Sequence, residues 1–280
     1  MQHRNRRLVA LLAVAGALVA TAPPARAVAS VIGSWAFTGS GLGSVPPGSS
    51  FGEPALYAAG DRTSLHIVQA SRGRVLDALS WRGLRPGQSV PRSGTLLSTD
   101  PQAWVGKPWG SDGGSSTFDP GREDFSVSVW LRPTDAAAFP RGSKPVGSVS
   151  PNIVQKGRAN VAGGYWKVGL QMVRTAEGLA WAPECVLKGG DGTTIVANRS
   201  GEVLTLTPGA GATVTCERTG DSLAISVAED GGPLRTSVVR GAGGLVVSNK
   251  AAVSVGQKPG STAARDAYDG QLADVIIARG

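Results

Sequence analysis

Apolar and polar residues alternate along most of this chain, and the alternation sharpens after residue 123. In DFSVSVWLRP, Phe125, Val127, Val129 and Leu131 fall on one side of an extended segment, with Ser126, Ser128, Trp130 and Arg132 on the other. In GYWKVGLQM, Trp166, Val168, Leu170 and Met172 share one face, and Lys167 and Gln171 the opposite one. ECVLK offers Cys185 and Leu187 to an interior, and ATVTCER offers Val214 and Cys216. SLAISVAEDGGPLRTSVV reads as a hairpin around Asp230-Gly231-Gly232, with Leu223, Ile225 and Val227 inward. The chain closes on YDGQLADVIIARG, a turn and then a strand carrying Val275 and Ile277 on one face.

Before residue 124 the signals are weaker. SVIGSWAF (30–37) reads as a first strand, and residues 40–54 as a loop. LHIVQA and RVLDALSW flank SRG as a hairpin, and a Gly/Pro/Asp-rich stretch carries Trp104 and Trp109. Helical periodicity is almost absent after Ala27, while 40 glycines and 18 prolines punctuate short runs. That pattern predicts an all-β fold, a two-sheet antiparallel β-sandwich.

The first 27 residues read differently. MQHRNRR is basic, LVALLAVAGALVATA is apolar and short for a membrane span, and Ala25-Arg26-Ala27 fits a cleavage site. A signal peptide over 1–27 and a secreted, extracellular protein over 28–280 are therefore expected. The formal net charge of +8 falls by Arg4, Arg6, Arg7 and Arg26 to +4. No Lys/Arg cluster remains, so nothing marks a nucleic-acid partner. Export also bears on the two cysteines, Cys185 and Cys216, whose shared inward face and even number favour a disulfide over two buried thiols.

Taken together, DFSVSVWLRP, NIVQKG (152–157), YWKVGLQ (165–171), the cysteine spacing, the hairpin, VSVGQ and YDGQLADVII resemble the concanavalin A-like lectin/glucanase superfamily. The likeness is strongest to laminin-G-like domains of secreted bacterial proteins, and over residues 124–280. It implies a jelly roll whose first and last strands are neighbours. The chain departs from the family where two acids often precede the final apolar pair: Ala273 stands first and Asp274 alone remains.

Candidate chemistry is sparse. His66 is the one histidine after residue 27, and no G-x-S-x-G elbow accompanies it. The paired carboxylates that the resemblance implies for a glycosidase, alternating along one strand, are not found. Asp112, Asp119, Asp191, Asp266 and Asp269 lie in Gly-rich loops where oxygen ligands suit calcium, although turn formation is the commoner role of such aspartates. Sugar recognition would use an aromatic platform with polar neighbours. Two candidates are Trp130 and Arg132 with Lys167 and Gln171, and the loop bearing Trp104 and Trp109. The leading reading is a non-catalytic module binding a glycan or another cell-surface ligand. The alternatives are a glycan-active hydrolase with an unrecognised carboxylate pair, and a structural or adhesive protein-contact domain.

Overall fold

The computed structural model describes residues 29–37, 43–44, 50–52, 55–59, 65–71, 75–81, 96–99, 116–139, 144–158, 161–199, 204–257 and 267–280. Residues 1–27, where a signal peptide is expected, and Trp104, Trp109, Asp112 and Asp266 lie outside them.

Among the described residues, seven strands precede residue 100: β1 (Ser30–Trp35), β2 (Gly43–Ser44), β3 (Ser50–Phe51), β4 (Leu56–Ala59), β5 (Leu65–Ser71), β6 (Val75–Trp81) and β7 (Leu96–Ser98). Then follow β8 (Phe125–Pro133), β9 (Asn152–Lys156), β10 (Tyr165–Thr175), β11 (Gly178–Lys188) and β12 (Thr194–Ala197). The series ends with β13 (Ala212–Thr219), β14 (Ser222–Glu229), β15 (Leu234–Arg240), β16 (Val253–Val255) and β17 (Gly270–Arg279). Single 3-10 turns cover Ser116–Phe118 and Val146–Ser148. Among the described residues no helix is long and apolar enough to cross a membrane.

The strands form two antiparallel sheets. The first runs β15-β14-β13-β8-β17-β6-β5-β2, with β1 also on β17, and the second runs β12-β11-β10-β9-β16-β7-β4-β3. Alternation dictates their inner faces. Val127, Val129, Cys216, Ile225 and Val275 of the first sheet meet Trp166, Val168, Leu170 and Cys185 of the second in one buried cluster. The sequence-derived inward positions of β8, β10, β13 and β14 are buried as expected.

The last strand is a centre, not an edge. One side of β17 pairs with β8; the other is shared end to end by β6, at Gly270–Leu272, and β1, at Val275–Arg279. A bulge between Ala273 and Ile276, with Asp274 at φ 50°, lets the strand serve both partners.

Cys185 on β11 and Cys216 on β13 are bonded, so the bridge staples one sheet to the other, with Cα atoms 5.3 Å apart. It closes a sequence separation of 31 residues. Replacing both cysteines by alanine should cost about 3–4 kcal/mol on the chain-entropy account. Denaturant titration of the double variant measures that loss, and alkylation of the unreduced wild-type protein should label neither sulfur.

Candidate functional site

The residues expected to form a sugar platform are divided between the two sheets, Trp130 and Arg132 on one and Lys167 and Gln171 on the other. Trp130 does sit on the outer face of the first sheet, but it is fully buried. Its indole Nε1 donates to Asp230 at 3.1 Å (Oδ1) and 3.3 Å (Oδ2). The turn at Gly211 presses on the ring so closely that a Cβ there would lie 2.6 Å from it. The guanidinium of Arg132 stacks 5.5 Å from the same ring. Lys167 and Gln171 point from the outer face of the second sheet, on the opposite side of the sandwich. β10 pairs with β9 and β11, not with β8. There Lys167 donates to Ser150 Oγ at 3.0 Å and pairs with Glu184, while Gln171 donates to the Gly147 carbonyl.

The acids are likewise dispersed. Asp119 pairs with Lys156, and Asp191 caps its own turn by accepting from Thr193 N and Oγ1 at 2.9 and 3.0 Å. Glu229 accepts from Thr207 and pairs with Arg235. No three histidine, cysteine or acidic side chains gather as a metal site among the described residues.

Asp269 stands apart chemically. Burial pushes its carboxyl up from 3.8 to about 6, against a hydrogen bond from Thr134 that favours the charged form. The folded protein therefore holds its proton more tightly than the unfolded chain does. Its stability should fall as pH rises from about 4 through about 6, and the penalty is fully present above that. Asp269→Asn should raise stability by about 1–3 kcal/mol at pH 7.5 and leave it unchanged below pH 4. Melting curves at the two pH values check both halves.

A pocket does form where the loops at one end of the sandwich converge, and two buried cations build it. Lys156, at the end of β9, is fully buried and reaches Asp119 Oδ1 at 2.8 Å, the Asn249 carbonyl at 2.7 Å and Asn249 Oδ1 at 3.0 Å. Burial pulls its ammonium down from the usual lysine range, while the Asp119 hydrogen bond and charge pull the other way. Arg218, at the end of β13, is also fully buried, with its guanidinium 5.4 Å from the Phe125 ring. It donates to the carbonyls of Glu123 and Leu245 at 2.9 Å, and to those of Gly121 and Pro120 at 3.3 Å. Each cation thus ties residues 119–123 to residues 245–249.

Backbone bonds complete the frame. Gly121 and Val247 exchange bonds of 3.0 and 3.1 Å, Ser248 N donates to Gly163 O, and Gly190 N donates to Val246 O. Gly163 sits at φ +85°, and a Cβ there would lie 1.7 Å from the Ser248 carbonyl, so only glycine fits. The result is a fixed pocket of about 270 Å³ whose lining includes Arg122, Gly163, Gly190, Asp191, Val246 and Ser248. Of these, sequence reasoning singled out Asp191 alone; Arg122 carries no motif.

No protein-family model matches the chain, and no curated protein sequence does. Among solved structures, the chain is similar to tailspike protein 2 from Escherichia coli O157:H7 bacteriophage CAB120, at 17% identity and TM-score 0.46. That match covers 79% of this chain and 25% of the tailspike, so the chain spans about a quarter of that protein's length. Domain 4 of AbnA, a GH43 extracellular arabinanase from Geobacillus stearothermophilus, matches at 10% identity, 90% and 93% coverage of the two chains and TM-score 0.47. Peanut lectin matches at 14% identity, 88% and 97% coverage and TM-score 0.39.

Proposed function

We propose that this chain is an extracellular, non-catalytic recognition module that binds a glycan or another cell-surface ligand at the loop-end pocket. The observation that carries the reading is preorganisation. Two buried cations and a glycine that tolerates no side chain fix a small concavity before any ligand arrives, which lowers the ordering cost of binding. The export pattern of residues 1–27 and the Cys185–Cys216 bridge support an extracellular setting. Asp119, Asp191 and Glu229 are engaged in loop-tying, capping and pairing, which supports binding over hydrolysis.

A glycan array probed with the mature chain, with and without calcium, tests this. Selective binding without release of reducing sugar is expected. Release of reducing sugar would favour a hydrolase. An array without signal would favour a protein-contact role instead.

A further inference from the structure

We infer that the loop-end pocket takes one acidic sugar unit, a hexuronate or a sugar of the same chemistry with a carboxylate beside vicinal hydroxyls. This rests on the glycan reading and narrows it. At about 270 Å³ the pocket falls just under the range of about 300–1,000 Å³ typical of drug-sized ligands, which suits a single ring better than a chain.

Arg122 supplies the anion contact. Its side chain is exposed and makes no hydrogen bond or ion pair with another described residue. The neighbouring acids do not quench it. Glu123 pairs with Arg279 at 3.0 Å, and Asp124 accepts from Gly220 N at 2.7 Å. A guanidinium fork matches a carboxylate bidentately, so Arg122 at the pocket wall favours an anion. Arg218, behind the same loop, holds the loop through backbone carbonyls while Asp124 and Glu123 offset its charge, so the anion contact falls to Arg122.

Asp191 supplies the opposite contact. The two bonds from Thr193 fix its carboxylate, yet four acceptor sites leave room for hydroxyl donors from a ligand. It repels a ligand carboxylate, so the acid end is directed to Arg122 and the hydroxyls to Asp191. Val246, 37% exposed, offers an apolar surface for the C–H face of a ring, and Ser248 also lines the pocket.

The test uses the mature chain on an array of hexuronate-terminated and neutral glycans, followed by calorimetric titration with D-glucuronate, D-glucose and a short peptide with a free carboxyl terminus. Glucuronate should bind about 10- to 100-fold more tightly than glucose. Arg122→Gln should erase that preference at an unchanged melting temperature, and Arg122→Lys should restore part of it. Acidic and neutral glycans bound equally, with no effect of Arg122→Gln, would overturn this inference and leave the glycan reading standing. Binding of the peptide in place of any glycan, or no binding of any glycan, would overturn both.

Discussion

Removing residues 271–280 should abolish the cooperative folding transition rather than trim the protein. β17 lies between β8 on one side and β6 and β1 on the other, so its loss splits the first sheet and strips three strands of their backbone partners. Leu272, Val275 and Ile277 leave the core with it, each worth about 1.5–3 kcal/mol of burial before entropy. Those losses together rival the whole stability of an ordinary domain, about 5–15 kcal/mol. Circular dichroism with thermal melting of the truncated chain reads the outcome. An unchanged melting temperature would refute the central placement of this strand.

Trp130→Ala should cost about 3–5 kcal/mol, a melting temperature lower by on the order of 10 °C. The indole is sealed between the sheet and the Gly211 turn, and its truncation leaves a void and takes the Nε1 donor from Asp230. Trp130→Phe should recover the packing but not the hydrogen bond, and so fall between. Because the loop-end pocket contains neither side chain, the protein that remains folded should bind its ligand normally. Full stability with lost binding would return Trp130 to the binding surface.

Trp130 also shows what alternation conveys and what it does not. The period of two places every inward side chain of β8, β10, β13 and β14, because each of those strands buries one face. It says nothing about what lies over the outward face. Small polar neighbours such as Ser126 and Ser128 read the same way under open solvent and beneath a turn. Nor does it say which strands pair, so residues of β8 and β10 look like neighbours in sequence and stand on opposite sides of the sandwich. β2, β3, β4, β7 and β12 span two to four residues each, too few to show a period.

The site was legible in part, through exceptions to the pattern. Arg218 falls on the inward register of Val214 and Cys216, and Lys156 on that of Val154. A charge at an inward position must find partners, and these two find the loops of the pocket. The pocket itself joins residues 122, 163, 190–191 and 244–248, a convergence that only the sheet topology creates.

If recognition occurs at this loop end and not on either sheet face, a bound ligand must perturb the loop backbone first. Amide chemical-shift mapping during titration with a hexuronate-terminated oligosaccharide tests that most directly. The largest shifts should fall on Gly163, Gly190, Asp191, Val246 and Ser248. Shifts centred instead on Lys167, Gln171 and their neighbours across the second sheet would contradict recognition at the loop end.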